Sequence, residues 1–117
     1  MGCQEILDEW SHEYAIGEFN PPIWKGYSSI VPSDWVGMTR YGHPSKIYIA
    51  PYFEGHDFWS RVILWHEFCH AWSYGEADHP DHGAPWLRRM LEKPVMFVLQ
   101  VPCVFVAVFL KIGEASA

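Results

Sequence analysis

The segment His66-Glu67-Phe68-Cys69-His70 has the HExxH spacing of a zinc-binding helix. On a helix, residues four apart project from one face, so His66 and His70 can share one zinc ion at about 2.0–2.1 Å. Glu67 lies about a hundred degrees further round, where its carboxylate is close to the ion without being a ligand. Zinc would lower the pKa of a bound water, and Glu67 could accept the proton. The segment therefore indicates metal-assisted hydrolysis.

Apolar residues surround this segment on nearly every side of the expected helix. They are Val62, Ile63, Leu64, Trp65, Phe68, Ala71 and Trp72. Without a metal, two imidazoles and a carboxylate buried among them would be short of polar partners. The sequence therefore favours a zinc site over a core helix that holds two histidines by chance. Cys69 lies within the motif, but we expect its side chain to face the core.

A catalytic zinc site requires a third protein ligand and an open fourth position. Metzincins have a third histidine six residues after the second, but Glu76 stands at that position in this chain. Gluzincins take a glutamate from a separate later helix, and although Glu92 has such a context, no paired motif accompanies it. His79 and His82 remain as the candidates for the third ligand.

Several stretches resemble the core of SprT-like metallopeptidases, the family that includes Spartan. One is Leu64-Trp65-His66-Glu67-Phe68-Cys69-His70-Ala71-Trp72, and another is Asp81-His82-Gly83-Ala84-Pro85-Trp86-Leu87-Arg88-Arg89-Met90. Gly37, Thr39 and the strand-like run 46–49 precede them in the order that the family shows. In that family a strand pair leads into the HExxH helix, and a variable loop then leads to a histidine-glycine segment. This two-part pattern is more specific than HExxH alone.

The resemblance covers residues 36–90, about half of the chain. Carried over residue by residue, it implies that His66, His70 and His82 bind zinc and that Glu67 is the general base. It also implies a small zincin-like fold and hydrolysis of peptide bonds in a protein or peptide substrate. Family members that act on DNA-linked substrates add basic or zinc-ribbon regions after this core, and neither follows here.

The charge and cysteine content narrow the class of protein further. Eight lysines and arginines stand against fourteen acids, for a formal net charge of −6, so we do not expect a nucleic-acid partner. Cys3, Cys69 and Cys103 are odd in number and form no CxxC pair, which is typical of a reducing compartment. The first ten residues lack the basic region followed by an apolar region that is typical of a signal peptide. We therefore expect a cytoplasmic protein.

The secondary-structure elements predicted around these residues indicate an α+β fold. Apolar spacing predicts an N-terminal helix over residues 4–16 that stops at Gly17, and a second helix over 58–74 with Asp57 as N-cap. Runs rich in β-branched and aromatic residues predict a hairpin or meander over 35–39 and 46–49. Proline in the first turn favours a short helix over 86–92.

Between the first helix and the hairpin, repeated prolines predict irregular chain over residues 19–32. We expect Trp24, Tyr27 and Ile30 to anchor this segment to the body of the domain. Residues 1–94 would then form the zinc metallopeptidase domain, and residues 95–117 a separate apolar C-terminal segment.

Only Gln100 and Pro102 interrupt the apolar run 95–110, and Lys93 and Lys111 flank it. Its sixteen residues are fewer than the roughly twenty that a membrane-spanning helix needs. The run fits two buried strands bent at Pro102, a core helix or a C-terminal membrane anchor, and we favour a buried or interfacial element. If it anchors the chain, the preceding basic residues would hold the peptidase on the cytoplasmic side.

Two functions from different classes fit these features. The first is a zinc metalloendopeptidase with Glu67 as general base. The second is a non-catalytic, zinc-stabilised binding module whose tail attaches to a partner or a membrane. Glu67 favours the first, because a purely structural zinc site needs no base and normally closes with four ligands.

Overall fold

The computed structural model describes residues 2–15, 20–74 and 82–116. Over these residues the protein is an α+β domain with five helices and one three-stranded sheet, which confirms the predicted fold class. The elements are α1 Cys3–Tyr14, β1 Ile23–Tyr27, β2 Gly37–Arg40, β3 Lys46–Ile49, α2 Asp57–Ser73, α3 Ala84–Met90, α4 Pro94–Val98 and α5 Gln100–Ser116, with a one-turn 3-10 helix at Pro51–Phe53.

The sheet has the order β1-β3-β2, so β3 is its central strand. β2 and β3 pair antiparallel, with Gly37 opposite Ile49 and Arg40 opposite Lys46, and the predicted hairpin is therefore confirmed. Ile47 and Ile49 are fully buried and point from β3 into the core. The hairpin thus fixes one wall of the core against which the HExxH helix packs.

The strand β1 contradicts the prediction of irregular chain over 19–32. It pairs parallel with β3, and its register shifts between Trp24 and Gly26, where the glycine has a φ of +107°. A bulge of this kind breaks the alternation by which a strand is recognised in a sequence. Trp24 and Tyr27 pack against the core as expected, whereas Ile30 is 41% exposed and does not anchor the segment.

The central helix α2 agrees closely with the predicted helix over 58–74. It is apolar almost all round because it is buried on several sides, between α1, the sheet and the C-terminal helices. Trp65 is fully buried, and its ring centroid lies 5.1 Å from that of Trp10 on α1. One detail differs from the prediction: the N-cap is His56, and Asp57 is the first helical residue.

The outer helices differ little from the predicted bounds. α1 begins one residue before the predicted 4–16, and the predicted stop at Gly17 lies outside the described residues. α3 begins two residues before the predicted 86–92, with Pro85 in its first turn as expected. A proline is tolerated there because the first N–H groups of a helix have no partner within the helix.

The apolar run 95–110 is helical, so the alternative of two buried strands is wrong. Pro102 lies in the first turn of α5, where it removes no hydrogen bond within that helix. Cys103 and Ala107 face the core, while the opposite side of the helix is exposed. Within the described ranges, no helix combines the length and the apolar character that crossing a bilayer requires.

Candidate metal centre

His66, His70 and His82 converge through their Nε2 atoms. His66 and His70 lie one turn apart on α2, and His82 lies two residues before α3 begins. The Nε2 atom of His66 is 3.1 Å from that of His70 and 3.3 Å from that of His82. Two nitrogen ligands on a tetrahedral ion at 2.0–2.1 Å are about 3.3–3.4 Å apart, so the spacing fits a shared metal ion. One ring nitrogen of each histidine lies within 4.8 Å of the other two, so the three histidines can hold a metal ion.

The protonation state of His66 also suits a ligand. The pKa of its imidazole is lowered to about 4, mainly by burial and also by the nearby His82, while the hydrogen bond to Gln100 acts in the opposite direction. The ring is therefore neutral near pH 7, which is the form that binds a metal. Imidazole ligands suit zinc and several other transition metals.

The opposite ring nitrogens of the two α2 histidines have polar partners. His66 Nδ1 lies 3.2 Å from Gln100 Oε1, and His70 Nδ1 lies 3.3 Å from the Tyr41 hydroxyl. Partners of this kind fix the ring orientation and the tautomer of a ligating histidine. Both contacts leave the Nε2 atoms directed toward the common point.

Trp86 forms an aromatic base beneath the three rings. Its ring stacks on His70 with centroids 5.4 Å apart and an angle of 22°, and its centroid lies 5.0 Å from that of His66 and 4.8 Å from that of His82. The indole N–H donates to the main-chain oxygen of His66 at 3.4 Å. His82 lies two residues before α3 and Trp86 is the third residue of that helix, so the start of α3 places both side chains at the centre.

Glu67 lies beside the histidine cluster rather than within it. The residue is only 5% exposed, and its Oε1 accepts a hydrogen bond of 2.8 Å from the Thr39 hydroxyl on β2. Its Oε2 is 3.9 Å from His66 Nε2. The carboxylate is thus near the point on which the three nitrogens converge, at a distance that suits a base better than a ligand.

Gly37 allows β2 to approach α2 closely at this carboxylate. A Cβ atom added to Gly37 would lie 2.8 Å from Ile63 Cγ2 and 3.1 Å from Glu67 Oε2. The first distance is shorter than real carbon contacts, so a side chain at this position would displace the helix or the carboxylate. Glycine at this position leaves room for Ile63 and for the Glu67 carboxylate.

The structure brings together all four residues that were predicted from the sequence to belong to the site: His66, Glu67, His70 and His82. The alternative ligand His79 lies outside the described residues. Cys69 is fully buried in the core as expected, and burial raises the pKa of its thiol well above the ordinary value.

Gln100 and Tyr41 were not predicted to belong to the site. Gln100 carries the one carboxamide within an otherwise apolar run, and that isolated polar side chain was the available signal. Tyr41 gave no such signal, because it belongs to a turn whose path depends on the sheet. Its ring stacks on Tyr74 with centroids 4.9 Å apart, and both tyrosines are partly exposed beside the histidines.

Comparison of the chain with protein-family models, with curated proteins and with solved structures finds no match.

Proposed function

We propose that this protein is a zinc-dependent endopeptidase of the SprT-like type, with His66, His70 and His82 as metal ligands and Glu67 as general base. The observation that carries the proposal is the convergence of three Nε2 atoms, at separations of 3.1 and 3.3 Å, with the Glu67 carboxylate 3.9 Å from the cluster. Three ligands leave one position of a tetrahedral ion open, as catalytic zinc sites do.

When bound, zinc supplies a Lewis acid that brings the pKa of a water molecule toward 7. The residues of the chain supply the rest of the chemistry. The Thr39 hydroxyl holds Oε1 of Glu67, which leaves Oε2 as the oxygen nearest the cluster. Glu67 accepts a proton as the water oxygen adds to the peptide carbonyl carbon, and it returns that proton to the amine as the C–N bond breaks.

The exposed surface beside the histidines supports an extended protein substrate. His82 is exposed, the ring centroid of Tyr41 lies 6.5 Å from that of His70, and Tyr74 stacks on Tyr41. Tyr74 is 44% exposed and Tyr41 39% exposed, so both present aromatic surface to a bound chain. A substrate that reaches the cluster would therefore pass next to these rings.

The test is cleavage of unfolded casein by the zinc-loaded chain and by Glu67→Gln, which replaces the base by an amide of the same shape. A general base contributes about 10²–10⁴-fold, so we expect Glu67→Gln to lose at least about 100-fold in rate while zinc affinity changes little. Glu9→Gln, which changes an exposed carboxylate on α1, is the matched control and should cleave at the wild-type rate.

The alternative outcomes separate the competing functions. A Glu67→Gln variant that binds zinc and cleaves as fast as wild type would remove Glu67 from the reaction. A wild-type chain that binds zinc tightly and leaves casein intact would support the zinc-stabilised binding module instead. A chain that does not bind zinc would refute the metal centre itself.

A further inference from the structure

Gln100 connects the C-terminal helix α5 to the metal centre. Its Oε1 lies 3.2 Å from His66 Nδ1, and its Nε2 donates to the main-chain oxygens of Val62 at 3.1 Å and Met96 at 3.0 Å. Carbonyl oxygens only accept hydrogen bonds, so these two contacts require the amide nitrogen on their side. The amide oxygen must then face His66.

This orientation determines which nitrogen of His66 carries the proton. An amide oxygen only accepts, so His66 Nδ1 must be the donor, and in a neutral ring Nε2 then carries a free lone pair. That lone pair belongs to the atom that lies 3.1 and 3.3 Å from the Nε2 atoms of His70 and His82.

We propose that Gln100 is a positioning residue that fixes His66 in the Nδ1-protonated tautomer and so prepares its Nε2 for a metal ion. The proposal rests on the metal centre proposed above and adds to it a residue of the apolar C-terminal run. Partners of this kind typically change metal affinity by about 10–100-fold when they are removed.

The chain offers a closely matched control in Gln4. Its side chain also makes three hydrogen bonds that join two elements, to Asp8 and Pro22 through Nε2 and from Trp24 N–H through Oε1. Gln100→Met and Gln4→Met therefore remove the same chemical group, and only the first of them touches the histidine cluster. Gln100→Glu retains an acceptor that can face His66 Nδ1.

Two readouts decide the proposal: zinc affinity by competition with a chromophoric chelator, and the His66 tautomer by ¹⁵N NMR of the metal-free protein. We expect Gln100→Met to weaken zinc binding about 10–100-fold and to lose the Nδ1-protonated signature, whereas Gln100→Glu keeps that signature and Gln4→Met changes neither quantity. Unchanged affinity and tautomer in Gln100→Met would overturn the proposal.

If Gln100→Met fails to fold, a loss of the Nδ1-protonated signature in Gln100→Glu would likewise overturn it. A wild-type chain without zinc affinity would refute the metal centre, but the tautomer comparison would still test the hydrogen bond. The two failures are therefore distinguishable.

A second, independent observation concerns the outer face of α4 and α5. Five apolar residues, each between 52% and 66% exposed, recur at heptad spacing along this face and form what we call the outer stripe. The outer stripe consists of Val98, Val101, Phe105, Val108 and Ile112. From Val98 onward the steps alternate between three and four residues, which is the spacing of a helix seam that packs against another helix.

The size of this face suits a protein partner. With Val95, Val104 and Phe109 beside it, the outer stripe exposes on the order of 800 Å² of apolar surface, about what one partner contributes to a standard-size interface. The largest apolar patch on a typical monomer is about 300–600 Å².

Charge favours a second copy of the chain over an anionic lipid surface. Residues 94–110 contain no charged side chain, so two identical faces meet without repulsion. The flanking cations are already engaged: Lys93 lies over the rings of Tyr14 and Trp65, and Lys111 donates to the main-chain oxygen of Ser33. The net charge of −6 also opposes binding to anionic headgroups.

We infer that two copies of the chain associate through the outer stripe. Sedimentation equilibrium of the full chain should give twice the monomer mass, and Phe105→Glu should give the monomer mass. Ile23→Glu, which changes an exposed isoleucine on β1, should leave the dimer intact. Even weak specific dimers form at about 10⁻⁴ M, so a wild-type chain that is monomeric at that concentration would overturn the inference. A dimer that survives Phe105→Glu would overturn it as well. Wild-type monomer that sediments with phosphatidylcholine vesicles would assign the face to lipid instead.

Discussion

Replacing Thr39 by valine removes the hydroxyl that holds the proposed base and preserves the branched shape of the side chain. The Thr39 hydroxyl donates to Glu67 Oε1 at 2.8 Å and lies 3.1 Å from the Glu67 main-chain oxygen. Valine also retains the strong preference for extended backbone that a position in β2 requires. The substitution therefore tests the hydrogen bond with little change in the packing of the sheet.

The expected magnitude follows from the chemistry of this bond. A hydrogen bond to a charged group contributes about 1.5–3 kcal/mol, and the near-complete burial of Glu67 limits replacement of the hydroxyl by water. At about 1.4 kcal/mol for each factor of ten, the loss corresponds to roughly 10–100-fold in the rate of casein cleavage. Zinc affinity should change by less than about threefold, because metal ligation does not use the Glu67 carboxylate.

The assay compares kcat/KM on casein, the zinc dissociation constant and the free energy of unfolding in urea for wild type, Thr39→Val and Thr39→Ser. Serine keeps the hydroxyl and should stay near the wild-type rate. A valine variant with wild-type activity would refute the reasoning. A serine variant as slow as the valine variant would show that keeping the hydroxyl does not keep the activity, and this too would contradict the role assigned to the hydroxyl.

Three further predictions follow from the site and the core. Removing a hydrogen-bond partner of a ligating histidine lowers metal affinity by up to roughly 100-fold, and we expect His82→Ala to weaken zinc binding by more than that. In the same chelator competition, His12→Ala should leave zinc binding unchanged. Because the folded pKa of His66 is about 4 and its ordinary value is 6.5, the unfolded chain binds more protons between these values. The free energy of unfolding of the metal-free protein should therefore fall, by about 2–3 kcal/mol, as the pH is lowered from 6.5 to 4, and constant stability in urea titrations across that range would contradict it. Cys69 and Cys103 should react with a thiol reagent at pH 8 only after unfolding, because burial raises the pKa of both thiols, that of Cys103 to about 11.

The HExxH helix was predictable because local spacing determines most of its environment. His66 and His70 share a face through helical geometry alone, and the apolar residues around them require burial whatever the partner elements are. The convergence of His82 on the pair depends on the path of the chain between α2 and α3. Its expected place came from the resemblance of the 81–90 segment to a known family, and local pattern alone left His79 open.

The parts that escaped prediction depend on contacts between distant segments. β1 is specified by pairing with β3 and contains a glycine bulge, so its own residues carry no clear alternation. Gln100 reaches His66 across 34 positions of sequence. The tail could be recognised as apolar, but whether it formed strands or helix depended on the surface of α2 and on the 3-10 turn against which α5 packs.

The close approach at Gly37 has a consequence for how sequence variation in this protein should be interpreted. Any residue other than glycine would place a Cβ atom within 2.8 Å of Ile63 and within 3.1 Å of the Glu67 carboxylate. In a saturation mutagenesis screen for the proposed activity, position 37 should therefore be constrained although glycine has no side chain. The functionally constrained positions therefore include a glycine of β2. A search of variants that considers only chemically reactive residues would overlook this position.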